Sequence, residues 1–392
     1  MTAIERDGEG DEQVVTRPAL VVTATPGGSR EYARPMRRIG LTMTVLAAAA
    51  LGAAMPAGAS ANSDGLYVQE LDRPDAPATR INTGEFAKAA TEGIAWAPNS
   101  RLLAFLCEAA SSQSQVCVAG TDGQSISKLT SVAGDLAAPA WSPDGKKLAF
   151  LLTENAPRKA GPLEAMTPET GVIEAKIYEQ RLTVLDAETG DLQQISPPDM
   201  YVYEFDWSPD GKQFALIASP GEGDANWYTA QLYRLAVTGG ALAPVYKPPL
   251  QIAVPRWSPD GKSIAFIAGI MSDEGSIGGD VFVISATGGV ARNLTPAIPA
   301  SPSWLAWQSA EKILLAGRID GDTGIGSVEL GSGEITQIWR GPESILKDES
   351  ISVGAPEQIH LGWPLERPDN VGGVGERRII SGMCPLSLIL DA

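Results

Sequence analysis

The chain contains 392 residues, of which 44% are apolar, so it is long enough to bury one large hydrophobic core or two ordinary ones. Its formal net charge is −17, which argues against binding to nucleic acid or to an anionic lipid surface, since both need a basic protein face. The 42 glycines and 29 prolines are typical of a fold made of many short elements joined by tight turns.

The N-terminal region has the composition of an export signal. Two arginines follow Met36, an apolar stretch runs from Ile39 to about Ala54, and small residues at 57–61 follow the A-x-A pattern that signal peptidases cleave. The apolar stretch is shorter than the roughly 20 residues that a membrane span needs. We therefore predict a leader over residues 1–61, translation from Met36, and an exported chain that is periplasmic or extracellular. An uncleaved N-terminal anchor is the alternative, and it is the one membrane contact that we consider.

A sequence repeat dominates the chain after the leader. A hairpin-like segment at 66–82 comes first, and five units follow in which a tryptophan precedes a tight turn and an apolar strand. The tryptophans, spaced 45, 66, 50 and 50 residues apart, are Trp96, Trp141, Trp207, Trp257 and Trp307. In three units the turn reads Trp-Ser-Pro-Asp-Gly-Lys without change. Self-similarity at this period indicates a repeat fold, so we interpret these residues as structural.

Each unit contains four short strands, which we name a to d. Strand a ends on the tryptophan, and Ser-Pro-Asp-Gly suits the a–b turn because proline presets φ at its second position. In strand b of the second unit, Leu148, Phe150 and Leu152 point to one face. Ala149 and Leu151 point to the other, and a strand that is apolar on both faces lies buried between two sheets. Strands c and d follow, joined by turns such as Thr-Gly-Gly.

A four-stranded sheet repeated around an axis, with each sheet packed on its neighbours, is a β-propeller blade. We predict an all-β propeller over residues 62–342 with about six blades, five of them clear. The sixth blade would combine the hairpin at 66–82 with strands from 343–361, a segment that lacks tryptophan and Ser-Pro-Asp-Gly, so we expect this blade to be irregular. Residues 343–392 form a C-terminal segment, a partial closing blade followed by a tail. A linear β-solenoid is the alternative, although its strand repeats are much shorter.

The Trp-Ser-Pro-Asp-Gly-Lys turn and the apolar strand after it resemble the repeat of TolB-type propellers. They also resemble the repeat in the N-terminal propeller of the prolyl oligopeptidase and acylaminoacyl-peptidase family. The resemblance covers about residues 66–340 and implies the propeller fold, but it carries little about function because both groups share the repeat as scaffold. For the peptidases it implies a catalytic triad in an α/β-hydrolase domain after the propeller. Two units depart from the pattern, with Ala-Pro-Asn-Ser after Trp96 and Gln-Ser-Ala-Glu after Trp307.

The sequence shows none of the common catalytic motifs. It contains one histidine, His360, and no Gly-x-Ser-x-Gly nucleophile elbow, whereas a serine peptidase needs serine, histidine and aspartate together. We find no phosphate-binding loop and no His/Cys metal spacing, so we predict no cofactor, no metal and no catalytic residue. Asp320 and Asp322 lie in a glycine-rich turn that faintly resembles a calcium loop, but the third carboxylate and the closing glutamate are absent.

The face that carries the long loops is the predicted binding face. In the repeat, the a–b and c–d turns are short and share one end of the propeller, whereas the b–c and d–a connections share the other. Three b–c loops are long, at about 153–180, 219–231 and 269–280, and long loops on a rigid scaffold commonly carry binding residues. The candidate binding rim consists of Tyr178, Glu179, Arg181, Trp227 and Tyr228. The alternative is a solvated insertion for the first loop and aromatic residues packed beneath the second.

Two of the three cysteines lie close together in the sequence. Cys107 and Cys117 flank a short polar segment and would form a disulfide if they lie on adjacent strands; two half-buried thiols are the alternative, and Cys384 is left single in the tail.

Our first functional hypothesis is an exported, non-catalytic propeller that binds a protein or peptide through its long-loop face. The second is a truncated prolyl-oligopeptidase-family peptidase that retains only the substrate-gating propeller. A propeller glycosidase or lyase with carboxylates on its axis is the third.

Overall fold

The computed structural model describes residues 20–24, 66–70, 79–81, 88–89, 93–108, 114–156, 178–221, 224–270, 277–341, 351–354, 358–361 and 386–389. The apolar stretch of the predicted leader, most of the first long loop and Cys384 lie outside these residues. Within the predicted leader, β1 (Leu20–Ala24) is described, and it pairs with β2 (Leu66–Glu70) in an antiparallel ladder.

The described residues form β-strands and one 3-10 helix, and five sheets follow the five tryptophan units. Blade 1 contains β4 (Lys88–Ala89), β5 (Ala95–Trp96), β6 (Leu102–Glu108), β7 (Gln115–Gly120) and β8 (Ile126–Lys128). Blade 2 contains β9 (Gly134–Trp141), β10 (Lys147–Glu154), β11 (Gln180–Asp186) and β12 (Leu192–Gln194). Blade 3 contains β13 (Met200–Trp207), β14 (Gln213–Pro220), the 3-10 helix (Asp224–Thr229), β15 (Gln231–Ala236) and β16 (Ala243–Tyr246).

The two remaining blades have the same order. Blade 4 contains β17 (Gln251–Trp257), β18 (Ser263–Gly269), β19 (Asp280–Ser285) and β20 (Arg292–Asn293). Blade 5 contains β21 (Ser301–Trp307), β22 (Lys312–Ile319), β23 (Asp322–Glu329) and β24 (Ile335–Gly341). Two smaller sheets are β1-β2-β3, with β3 at Thr79–Arg80, and β25-β26-β27, with strands Ile351–Gly354, Gln358–Leu361 and Leu386–Ile389. Blades 2 to 5 are antiparallel a-b-c-d sheets in which the tryptophan ends strand a, as the repeat predicts.

Strand b of each blade is buried on both faces, which is why it is apolar throughout. In blade 2, Phe150 packs into a cluster that contains Ala104 and Leu106 of blade 1. Leu151, on the opposite face of the same strand, packs into a cluster that contains Phe214 of blade 3. The core is therefore a series of layers between successive blades, and the two-faced strand predicted from the sequence is present.

The Ser-Pro-Asp-Gly turn is closed by its own side chains. In blade 2, the Ser142 hydroxyl donates to Asp144 Oδ1 at 2.6 Å and accepts from the Lys147 backbone N–H at 2.9 Å. The Gly145 N–H donates to the Ser142 carbonyl at 2.8 Å, and Gly145 has a φ of +71°, which glycine adopts without strain. The hydroxyl bond from Ser142 holds the pKa of Asp144 below its usual value. The copies in blades 3 and 4 repeat these bonds.

The a–b turns of successive blades also contact one another. A Cβ atom built on the turn glycine of one blade would lie 3.4 to 3.6 Å from the ring of the turn proline in the blade before it. The pairs are Gly145 with Pro98, Gly211 with Pro143, and Gly261 with Pro209. The turn glycine of one blade therefore lies close to the turn proline of the blade before it.

The hairpin β2–β3 takes the place of strands c and d in a blade before blade 1. A Cβ on Gly239 in the c–d turn of blade 3 would lie 3.1 Å from the Ile195 carbonyl in the preceding blade. A Cβ built on Gly123 of blade 1 would likewise lie 2.6 Å from the Arg80 carbonyl of β3. Leu66 of β2 packs in the same cluster as Phe105 of blade 1. Among the ladders that the structure describes, β26 pairs with β25 on one side and with β27 on the other, and none joins these strands to the hairpin β2–β3.

Strand a of blades 2 to 5 carries a β-bulge, which the sequence analysis does not anticipate. In blade 4 the bulge places Val254 at a φ of +56°, a strained conformation for a β-branched residue. The Val254 N–H donates to the Glu204 carboxylate of blade 3. Two residues further along blade 3, Asp206 Oδ2 accepts the Trp257 N–H at 2.7 Å. Two carboxylates of one blade thus hold strand a of the next.

Candidate functional site on the long-loop face

Trp227 anchors the second long loop to the neighbouring blade. Its indole N–H donates to the Ile252 carbonyl of β17 at 2.9 Å, and its ring lies 4.5 Å from that of Tyr203, centroid to centroid. The side chain is 6% exposed and belongs to the core cluster that blades 3, 4 and 5 share. Trp227 is therefore packed beneath its loop, which is the alternative that the sequence left open for this residue.

The same loop is closed by short hydrogen bonds at its end. The hydroxyl oxygens of Ser219 and Thr229 lie 2.6 Å apart, and the Thr229 hydroxyl also lies 2.9 Å from the Asn226 carbonyl. With Trp227 fixed below, the 3-10 helix is held on the rim of the propeller. Tyr228, the next residue, is 66% exposed.

Two apolar side chains of blade 4 are exposed at the same end of the propeller. Gln251 and Gly269 are register partners in β17 and β18, and Leu250 and Ile270 are the residues directly beyond them. Leu250 is 45% exposed and Ile270 is 70% exposed. We call Tyr228, Leu250 and Ile270 the apolar patch. Exposed apolar residues that lie at one end of a scaffold are candidates for recognition, so we take these three as the candidate recognition feature of this face.

The rim residues of the first long loop lie in blade 2, away from the patch. Arg181 is on β11, where it donates to Gln194 Oε1 at 2.8 Å and to the Ser196 carbonyl. It is half-buried, and burial lowers the pKa of its guanidinium. Tyr178 and Glu179 are half-buried at the point where the loop rejoins the blade. The predicted rim is thus divided between two adjacent blades, and Arg181 is bound to the end of its own sheet.

A cleft of about 680 Å³ lies between blades 2 and 3, next to Arg181. One wall is the d–a connection of blade 2, residues 195–200, and the other is the c–d turn of blade 3, residues 238–242. Tyr233 of β15 contributes its ring, and burial raises the pKa of this phenol. Arg181 could be predicted from the sequence but the cleft could not, because its two walls are distant in the chain and neither contains a motif.

The two aspartates of the calcium-like turn both pair with one arginine, Arg340. Arg340 Nε lies 2.8 Å from Asp322 Oδ2, and an Nη atom lies 3.5 Å from Asp320 Oδ2. The hydrogen bond to Asp322, followed by the charges of both aspartates, raises the pKa of Arg340. Within the part of the chain that the structure describes, no group of three or more His, Cys, Asp or Glu residues could hold a metal ion.

Cys107 and Cys117 form a disulfide between the neighbouring strands β6 and β7. Their Cα atoms lie 5.8 Å apart, and both side chains are buried. They lie in the cluster that joins blade 1 to the hairpin β2–β3. The bridge therefore ties together strands b and c of the first blade.

No family model matches the chain, and no curated protein matches it. Solved structures do. TolB from Acinetobacter baumannii is 18% identical over 69% of this chain and 58% of its own, with a TM-score of 0.43. The acylaminoacyl peptidase of Pyrococcus horikoshii is 13% identical over 76% of this chain and 44% of its own, with a TM-score of 0.51. An oligogalacturonate lyase in complex with manganese is 15% identical over 76% of this chain and 78% of its own, with a TM-score of 0.50.

The two matches with TM-scores of 0.50 and 0.51 confirm the propeller fold and the resemblance of this chain to the propeller of acylaminoacyl peptidase. At such identities they show the fold alone. This chain spans 58% of the length of the Acinetobacter protein and 44% of that of the peptidase. Among the described residues, no helix has the length and apolar character to cross a membrane.

Proposed function

We propose that this protein is a non-catalytic propeller scaffold that binds a protein or peptide partner through the long-loop face of blades 3 and 4. The apolar patch of Tyr228, Leu250 and Ile270 carries the proposal. Its members sit on a rigid base, since Trp227 and the β17–β18 ladder fix the segments that present them. An apolar surface that is already ordered loses little conformational entropy on binding, which favours recognition.

An exported location, which we also propose, fits the same function. A disulfide such as Cys107–Cys117 forms and persists in oxidising compartments, and the leader at 1–61 has the pattern of a secretory signal. We infer that the protein acts in the periplasm or outside the cell, where a rigid scaffold without a cofactor can bind partner proteins.

Site-specific photo-crosslinking tests the proposed face. A photoreactive amino acid is placed at position 228 of the patch, and a matched protein carries it at position 290. Val290 is a suitable control because it is 94% exposed and lies in the c–d turn of blade 4, at the short-turn end. We expect a discrete crosslinked polypeptide from position 228 and none from position 290. The crosslink should disappear when Ile270 is replaced by serine, and equal crosslinking from both positions contradicts the proposal.

A second candidate function is that of a substrate-gating propeller belonging to a serine peptidase. It is favoured by the proportions of the match to acylaminoacyl peptidase, which takes in 76% of this chain and 44% of the peptidase. A fluorophosphonate probe addresses catalysis directly, since it labels an activated serine. Specific labelling of the isolated chain would contradict a non-catalytic scaffold. An open reading frame with a Gly-x-Ser-x-Gly elbow and a late histidine in the downstream DNA would favour this second function.

A further inference from the structure

We propose that the cleft between blades 2 and 3 is a second binding site, one that takes the free C-terminal carboxylate of an apolar peptide in extended conformation. This site does not involve the apolar patch, and it can be tested independently of the function proposed above. Within the described part of the chain, three observations carry it: an arginine with no carboxylate at ion-pair distance, apolar walls, and a strand edge that has no ladder partner.

The positive charge is Arg181. It donates to two neutral acceptors, Gln194 Oε1 and the Ser196 carbonyl, and its Nε is buried without a hydrogen-bond partner. Among the described residues, no carboxylate lies within ion-pair distance of it; Glu154 acts on it only at longer range. Half-buried charges are normally paired, so a guanidinium that lines an open cleft in an acidic protein favours an anionic ligand.

The walls are suited to apolar side chains. Ile195 and Met200 line one side, Leu242 lines the other, and the ring of Tyr233 lies between them. The volume of about 680 Å³ is within the range of sites that bury small ligands or a few residues of a peptide. The space beside Gly240 is open, because a Cβ placed there would meet no atom within 4 Å.

The free edge is β12. It is the last strand of its sheet, so in the described structure one side of its backbone has no ladder partner. Alternate residues of an edge strand offer unpaired N–H and C=O groups, to which an extended peptide can add as a further strand. The ligand that fits these three features has a carboxylate that binds Arg181, apolar side chains that contact the walls, and a backbone that pairs with β12. The C-terminal end of a peptide chain has all three.

Fluorescence anisotropy with two synthetic peptides tests the site. Both are fluorescein-labelled Gly-Ser-Gly-Val-Leu-Val-Leu; one ends in a free carboxylate and the other in an amide. We expect the acid to bind roughly tenfold or more tightly than the amide, since a charge-assisted bond is lost. Arg181→Gln should abolish this preference, and Arg181→Lys should keep part of it because the charge remains. Equal affinities of acid and amide for the unmodified protein would refute the proposal.

Arg234→Gln is the matched control. Arg234 lies on strand c of the next blade, donates to Gln213 Oε1 and also has a buried Nε without a partner, but it does not line the cleft. This variant should bind the acid as the unmodified protein does. If Arg181→Gln fails to fold, as seen by its thermal unfolding, Ala241→Trp serves instead, because it fills the cleft from an exposed turn position and should weaken binding of the acid.

Two further binding measurements test the ligand class and the location of the site. A peptide amide with aspartate as its last residue that binds as tightly as the free acid overturns the assignment to a C-terminus. The double variant Tyr228→Ser/Ile270→Ser should bind the acid normally, because the patch belongs to other loops. Loss of acid binding in that variant would place the peptide on the patch and remove the case for the cleft.

Discussion

Replacement of Asp206 by asparagine should stabilise the protein at neutral pH and leave it unchanged in acid. Asp206 holds the Trp257 N–H across the junction between blades 3 and 4. Burial raises the pKa of its carboxyl to about 6, and the opposing effects of Arg256 and of the backbone N–H bonds are smaller. Asparagine keeps an oxygen that can accept the Trp257 N–H, but it carries no charge that burial penalises.

The direction in which stability changes with pH follows from proton binding. Since the pKa in the folded state exceeds that of the unfolded chain, the folded protein binds more protons between about pH 4 and pH 6, and its stability falls as the pH rises through this window. A rise from 3.8 to about 6 corresponds to roughly 3 kcal/mol, at about 1.4 kcal/mol per pH unit. Asp206→Asn should remove this fall, so its advantage over the unmodified protein should grow from near zero at pH 4 to at most about 3 kcal/mol at pH 8.

Urea unfolding at several pH values, followed by tryptophan fluorescence, measures this advantage. Asp210→Asn is a control for which we expect the opposite pH dependence. The Ser208 hydroxyl lowers the pKa of Asp210, and the stability that this provides is lost as the pH falls. It should therefore destabilise at neutral pH and have little effect in strong acid. An Asp206→Asn effect that is independent of pH, or that is largest below pH 4, would refute the reasoning.

Three further changes test the scaffold. Gly211→Ala should cost about 1–2 kcal/mol of the free energy of unfolding, because φ is +68° there; an unchanged urea midpoint would show that the turn relaxes. Replacing Cys107 and Cys117 by alanine should lower stability by about 2–3 kcal/mol, and reducing agent should then have no further effect on the melting temperature. Trp227→Phe should lose the bond to Ile252 and about 1 kcal/mol; equal stability would indicate that the indole N–H contributes nothing through this bond.

The repeat makes the fold predictable because it encodes local rules. The bonds within Ser142-Pro143-Asp144-Gly145 form between neighbours in sequence, and an apolar strand such as β10 can be buried in one way only, between two sheets. The contact of each turn glycine with the proline of the preceding blade could not be predicted, since it depends on how the blades are placed around the axis. The bulges of strand a leave no signal in composition, because residues as different as Val254 and Ala138 occupy them.

The binding site is less predictable because exposure depends on tertiary packing. Trp227 and Tyr228 are adjacent aromatic residues in one loop, yet the first lies in the core and the second in solvent. Leu250 and Ile270 belong to segments that carry no motif in the sequence, and only the pairing of β17 with β18 brings them together. The position of Arg181 beside a long loop marks it in the sequence, but its bonds towards strand d are visible only in the structure.

Isothermal titration calorimetry with the polypeptide that crosslinks to position 228 tests the central claim most directly. The purified polypeptide should bind the unmodified protein with a single-site isotherm. Tyr228→Ser/Ile270→Ser should weaken it about 30-fold, the effect of losing about 2 kcal/mol of contact energy, while Val290→Ser should leave it unchanged. If the double variant binds as tightly as the unmodified protein, or if Val290→Ser weakens binding as much, the long-loop face of blades 3 and 4 is not the binding surface.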